Sequence, residues 1–225
     1  GFYSASARLP PPQPAEETRV KLEIVRPDEK RTGGRRDAAV AFLARPEKKG
    51  PARFESLPEV FREAARAAAP PDAGNDGSLF TLPLGPDAPA RRLYVLGTGA
   101  GDELSPRKAR VLLRSAVKAL EKNGERTALV DFPFTLQRMT PAEARDFVVR
   151  SLLVAGYVFP RYKASAREAA RLSALALSAG RGVFAATPKE LKAASDEASV
   201  VAAVSAFVRD LGNTPGSDMV PRTFA

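Results

Sequence analysis

An α/β layered fold with a partly parallel central sheet is predicted by two features of this 225-residue sequence. Apolar strand-like runs, Gly-rich turns and helical repeats follow one another in a recurring order, which is how a chain lays helices over a parallel sheet. Three helix starts are marked by Ser or Thr followed at once by Pro, and two of these carry Glu three residues on, the sign of a capped amino terminus.

From Arg19 to Arg26, apolar Val20, Leu22 and Ile24 alternate with Lys21 and Glu23, the period of a half-buried strand. Asp37 to Ala44 is a second strand with a more continuous apolar run, and Thr32, Gly33 and Gly34 mark the turn between the two. Ser56, Pro58 and Glu59 open a helix to about Ala69, where Pro70 and Pro71 stop it. Leu79–Leu84 and Arg91–Leu96 read as strands joined at Gly85 and Pro86. Ser105 and Pro106 begin a helix whose buried stripe is expected to be Val111, Leu112, Ser115, Val117 and Leu120, ending at Asn123 and Gly124.

Thr127–Phe132 is the next strand, and Thr140, Pro141 and Glu143 start a helix lined by Phe147, Val148, Leu152 and Val154. Tyr157–Lys163 is expected to be extended and Arg171–Leu177 to be a strand. Thr187, Pro188 and Glu190 cap a long helix to about Leu211, with Gly212 expected to break it. Its apolar positions, Leu191, Val200, Val201, Val204, Phe207 and Val208, are expected on one side, and Lys192, Asp196 and Glu197 in water.

Gly1–Thr18 holds Pro10, Pro11, Pro12 and Pro14 without any apolar period, so it reads as an extended tail outside the core. Its Ser and Ala content, with Arg8 and no acid from Phe2 to Leu9, fits a trimmed organellar transit peptide, and a start point chosen for expression fits as well. Charged residues and prolines interrupt every apolar stretch before it reaches the roughly 18 residues a membrane span needs, so no membrane insertion is expected.

Cysteine and histidine are both absent, which excludes disulfides, thiolate or imidazole metal ligands, and Ser-His-Asp or Cys-His nucleophiles. Asp196, Glu197 and Asp210 are strung along one helix, a spacing that does not converge on a metal.

The formal charge is +9, and Arg19 to Gly50 contributes ten basic residues against five acidic ones. Lys30, Arg31, Arg35 and Arg36 are therefore the candidate polyanion-binding residues, expected on an exposed loop between the first two strands. No aromatic side chain is interleaved there to stack on bases, so a weak, sequence-independent nucleic-acid contact or a plain solvated loop is what they support. Gly97–Gly101 lies between a strand and a helix start, where backbone N–H groups can cradle phosphate. Its spacing departs from the dinucleotide fingerprint, and a tight turn is the favoured reading. Phe132 and Phe134, and Tyr157, Phe159 and Tyr162, are expected as core or interface anchors.

Two stretches carry a family resemblance. VRSLLVAGYVFPRYK, Val149 to Lys163, is similar to a G-x-Y-x-F-x-x-Y-K passage, and FVRDLGNTPGSDMVP, Phe207 to Pro221, to an R-D-L-x-N-x-P-x-x-x-x-x-P junction, both of the leucyl aminopeptidase (cytosol aminopeptidase) family. Arg91–Asp131, with its VLGTG strand end and ALVD strand, fits the same amino-terminal domain. The resemblance implies a three-layer α/β/α, macro-domain-like unit with a long carboxy-terminal linker helix. It further implies a catalytic domain after the junction, two divalent metals (zinc or manganese) in that domain, and a homohexamer.

The junction residues here are Arg209, Asp210, Asn213 and Pro215. The implied organisation is a tail at 1–18, the domain at 19–186, the linker helix at 187–212 and the start of a catalytic domain at 213–225. Since the family's metal ligands lie past that junction, no catalytic or metal residue and no cofactor is expected within 1–225, and the chain is expected not to hydrolyse peptides alone. Subunit assembly and positioning of the catalytic domain, in the cytoplasm or mitochondrion, is the expected role. A structural or nucleic-acid-contacting subunit of a larger assembly is the alternative, and an ADP-ribose binder ranks last.

Overall fold

A computed structural model describes residues 20–25, 35–46, 50–157, 172–180 and 182–215. The amino-terminal tail, the turn at Thr32–Gly34, the stretch from Val158 to Lys163 and the segment after Pro215 lie outside the described residues.

Among the described residues, eight strands and four α-helices follow in chain order: β1 (Lys21–Val25), β2 (Arg36–Arg45), α1 (Glu59–Ala68), β3 (Leu79–Pro83), β4 (Ala90–Ala100), β5 (Glu103–Leu104), α2 (Pro106–Lys122), β6 (Thr127–Val130), β7 (Thr135–Leu136), α3 (Pro141–Ala155), β8 (Ala174–Ser178) and α4 (Pro188–Asn213). The main sheet has the order β1-β8-β6-β2-β4-β3, and every pairing is parallel except β3 with β4. β5 and β7 form a small parallel pair of their own.

Strand β2 is apolar on both faces because both are covered. Ala38, Val40, Phe42 and Ala44 point into one core with the buried stripes of α2 and α3 and with Leu191 and Ala198 of α4. Ala39, Ala41 and Leu43 point into the other, with Leu57, Phe61 and Ala65 from α1 and its lead-in. Two cores on opposite faces of one sheet make the three-layer α/β/α unit expected. The first core includes the aromatic run Phe42, Phe132 and Phe134, edge to face at 5.2 and 5.7 Å, so these phenylalanines anchor the core.

Three helix starts are as the sequence predicts. Ser105 Oγ accepts from the Lys108 amide, and Thr140 with Glu143 and Thr187 with Glu190 form complete capping boxes. These bonds hold the Glu143 and Glu190 carboxyls below the usual carboxylate range.

The strand expected at Thr127–Phe132 ends at Val130 and the one expected at Arg171–Leu177 starts at Ala174. Val111 and Ser115 of the stripe expected to be buried on α2 are exposed, because the helix turns Ala109, Leu113 and Ala116 to the core instead. Three further boundaries differ, each for a physical reason. Ser56 does not cap α1: its hydroxyl donates to the Arg53 carbonyl inside a 3-10 turn at Phe54–Ser56, and Pro58 takes the position before the helix. β4 does not stop at Leu96 but runs through the glycines to Ala100, because β2 keeps pairing with it. α4 does not break at Gly212; it continues to Asn213, and Thr214 turns extended ahead of Pro215, whose ring disfavours a helical predecessor.

Gly97 is required by close approach: a Cβ there would collide with the Asn75 carbonyl oxygen and Ser78 Oγ. Gly97→Ala is therefore expected to cost about 1–3 kcal/mol and to lower Tm by about 2–4 °C for each of those. Gly85→Ala, whose new methyl meets open space, should leave Tm unchanged in the same thermal scans.

The buried Glu125 carboxylate accepts from the Tyr94 hydroxyl at 2.8 Å and pairs with Arg92 at 3.1 Å. Burial first, and then the bond to Glu125 and its charge, push the Tyr94 phenol from 10.0 up to about 12. A folded pKa above the unfolded one means this contribution is complete below about pH 10 and is lost as pH rises through the folded value. Absorbance titration of the phenols should show one ionising near pH 12, together with unfolding, and Tyr94→Phe should remove it.

Candidate functional site

The carboxyl ends of β2 and β4, where parallel sheets commonly bind ligands, are occupied by the protein's own backbone. The Gly97 amide donates to Ser78 O at 2.8 Å, Gly99 to Gly74 O at 2.9 Å and Gly101 to Arg45 O at 3.1 Å. Arg45 in turn donates from its guanidinium to the Ala73 and Pro71 carbonyls at 3.0 and 2.9 Å. The glycine run is thus a place where segment 73–78 closes over the strand end, and its glycine amides do not point at an anion.

The candidate polyanion residues divide. Lys30 and Arg31 lie outside the described residues. Arg35 is exposed, but its guanidinium donates to the carbonyls of Ala90, Leu84 and Gly85 at 3.0, 2.7 and 2.6 Å. Arg36 is not on an exposed loop: it begins β2, is buried, and pairs with Glu23 of β1 at 3.0 Å. A charge read along the sequence says nothing of a partner on another strand, and Glu23 supplies one.

The junction residues come together around one side chain. Tyr157, just past α3, donates its hydroxyl to Asp210 Oδ1 at 2.7 Å and accepts from the Asn213 amide at 3.4 Å. The Arg209 guanidinium lies over the Tyr157 ring at 5.2 Å and donates to the Val154 carbonyl at 3.4 Å. Thr214 Oγ1 closes the helix end on the Asp210 carbonyl at 2.7 Å, and Pro215 comes next, exposed. Burial first, then the bond to Asp210, raises the Tyr157 phenol above its usual value. The cluster ties the last turn of α4 to the end of α3. Asp210 and Asn213 lie 53 and 56 residues beyond Tyr157, so sequence marks them as two motifs without marking the bond between them.

Helix α4 has apolar residues on two faces. Leu191, Ala194 and Ala198 are buried, with Ala202 half-buried on the same side. Val200, Val204, Phe207 and Val208 form a stripe on the opposite face and are 58–64% exposed. This corrects the expectation of a single apolar side: Leu191 belongs to the core face, Val200, Val204, Phe207 and Val208 to an uncovered one, and Val201 is half-buried between them. Such a contiguous aliphatic and aromatic strip, beside Arg209 and Asp210, is the surface on which a further protein element would gain most from burial.

Among the described residues no group of three or more His, Cys, Asp or Glu side chains converges, and no helix is long and apolar enough to cross a membrane.

Known proteins resemble this chain in sequence and in fold. Residues 73–166 match the sequence profile of the cytosol aminopeptidase family, N-terminal domain. A probable cytosol aminopeptidase of Pseudomonas syringae pv. syringae (strain B728a) is 33% identical over 145 residues, 64% of this chain and 28% of that protein. The cytosol aminopeptidase of Pseudomonas aeruginosa PAO1 is 34% identical over 146 residues, again 64% and 28%. A Streptomyces coelicolor relative with the name probable cytosol aminopeptidase is 32% identical over 170 residues, 68% and 31%. The chain thus spans between a quarter and a third of the length of these relatives. In fold it is similar to a mutant of tomato leucine aminopeptidase, with TM-score 0.65 and 15% identity, over 96% of this chain and 42% of that one. It is also similar to the bottromycin maturation enzyme BotP, with TM-score 0.56 and 19% identity, over 84% and 35%.

Replacing Tyr157 by Phe removes the donor to Asp210 while keeping the ring under Arg209. For a half-exposed bond to a charged acceptor the expected loss is about 1 kcal/mol, confined to the end of α4. Hydrogen exchange should quicken at the amides of 207–213 while those of β2 stay protected. Equal protection of 207–213 in both proteins would show that the cluster does not hold the helix.

Proposed function

From a chain that carries the amino-terminal domain of the cytosol aminopeptidase family, we propose a non-catalytic role: it positions a catalytic domain of that family and helps assemble its copies. The observation that carries this reading is the uncovered stripe Val200, Val204, Phe207 and Val208, which adjoins the junction residues Arg209 and Asp210 on α4. A helix fastened to the domain on one face and apolar on the other suits a linker that must grip a second domain.

In this reading 19–186 is the domain, 187–212 the linker helix, and 213–225 leads toward the catalytic part. The two divalent metals, zinc or manganese, belong to that catalytic part, whose hydrolysis is metal-assisted; the homohexamer implied by the resemblance is the assembly it would join. The relatives' names speak for the cytosol, and a cytoplasmic setting is the one this reading takes. The alternative, a structural or nucleic-acid-contacting subunit, rests on the +9 charge.

Two measurements test the reading. The isolated 225-residue chain, given manganese or zinc, should not hydrolyse leucine amide; chelator-sensitive turnover would overturn the non-catalytic role. Joined in place of the aligned segment of the Pseudomonas aeruginosa relative, the chain should give a protein that assembles, as judged by light scattering. Val204→Asp with Phe207→Asp should lower that assembly, with the folded domain's stability changed by no more than about 0.5 kcal/mol, as exposed positions allow. Unchanged assembly would remove α4 from the interface.

A further inference from the structure

We propose that the outer edge of β3, together with the basic face of α2, is a docking site for an extended acidic peptide segment that adds as a further strand. It is separate from α4 and does not depend on the role assigned there.

The edge is open. β3 ends the sheet, and among the described residues no strand pairs with its far side. Its register against β4, with the Leu84 amide donating to Arg91 O and the Gly97 amide to Ser78 O, assigns the even-numbered residues to the β4 ladder. By the alternation of antiparallel pairs, Leu79 and Thr81 turn both their N–H and C=O groups outward, while Pro83 offers a carbonyl alone. A strand edge with free donors and acceptors is a template for another strand.

The flank is apolar and cationic together. A groove runs between β3 and α2, lined by Leu79, Leu96, Val111, Lys108 and Arg107, with Asp76 paired to Lys108 at 3.2 Å. Leu79 and Val111 stand on it 47% and 58% exposed. α2 carries six basic residues and a single acid, Glu121, which pairs with Lys118. On a helical period Arg107, Val111, Arg114, Lys118 and Lys122 share one exposed face, whereas Arg110 leans away onto Phe147. Successive cations on this face from Arg114 onward are about 6 Å apart along the axis, close to the roughly 6.8 Å between same-side residues of an extended strand. A peptide with Glu or Asp at alternate positions would set its carboxylates along the cations and its backbone on Leu79 and Thr81. Exposed aliphatics at Leu79 and Val111 favour a peptide over a nucleic acid, whose phosphates gain nothing from them.

The probe is a fluorescein-labelled Glu-Val-Glu-Thr-Glu-Val-Glu-Thr peptide, titrated with the full chain by anisotropy at low salt. Binding is expected, weakened about tenfold or more by Arg107→Glu with Arg114→Glu, two exposed side chains whose replacement should leave Tm unchanged. Thr81→Pro removes an outward donor and should weaken binding as much; alternate N-methylation of the peptide provides the same test without altering the protein. Of the two alternate patterns, one should abolish binding and the other be tolerated. Absence of binding, equal binding of both N-methylated forms, or insensitivity to the α2 charge reversals would overturn the proposal. A 20-base-pair DNA duplex that binds more tightly than the peptide would also overturn it, assigning the face to nucleic acid.

Discussion

Strand β2 is the constraint on which the rest of the architecture depends. It pairs in parallel on both sides, with β4 and with β6, and a parallel pair cannot be closed by a hairpin. Each neighbour must be reached by a crossover, and crossovers between parallel strands are right-handed. From β2 the chain moves toward β4 with α1 in the connection; from β4 it returns across β2 to β6 through α2, and goes on to β8 through α3. Reversing direction along the sheet while keeping the same hand places the return helices on the opposite face. That is why α1 has one core almost to itself while α2 and α3 share the other with part of α4. The alanines at 38, 39, 41 and 44 keep β2 slim enough for both layers to close on it.

The same reversal creates a crevice at the carboxyl ends of β2 and β4, the position at which open parallel sheets usually take a ligand. Here the protein fills its own crevice. Segment 73–78 supplies carbonyls to the Gly97 and Gly99 amides and to the Arg45 guanidinium, and Gly97 lacks a Cβ so that this segment can lie against the strand.

What the sequence made legible was local or periodic. The Thr-Pro-x-Glu boxes at 140 and 187 are complete within four residues, and the apolar run of β2 announces a strand covered on both faces. What it concealed was decided by distant partners. Arg36 reads as a loop cation until Glu23 is seen beside it, and the glycines at 97 and 99 read as a loop until β2 and segment 73–78 hold them in a strand. Gly212 reads as a helix end, but Pro215 decides the matter through Thr214. The resemblance motifs were visible as words. Their meeting, with Tyr157 bonded to Asp210 and Asn213 and lying under Arg209, was not.

That meeting gives the two motifs a common physical purpose. A helix leaving a domain frays at its last turn, where its carbonyls lack intrahelical donors. In α4 the last turn is instead held by a phenol from α3's end, a cation over the ring and a threonine hydroxyl on the Asp210 carbonyl. Fixing this turn fixes the direction in which Pro215 leaves, and it also fixes the outward aim of Phe207 and Val208, the two residues immediately before Arg209. Were the end of α4 loose, the exposed stripe would have no defined orientation, and a partner would have to order it on binding at an entropic cost. In the reading proposed for α4, a half-buried polar cluster at a helix end, next to an uncovered apolar strip, serves to preorganise a contact surface more than to stabilise the domain.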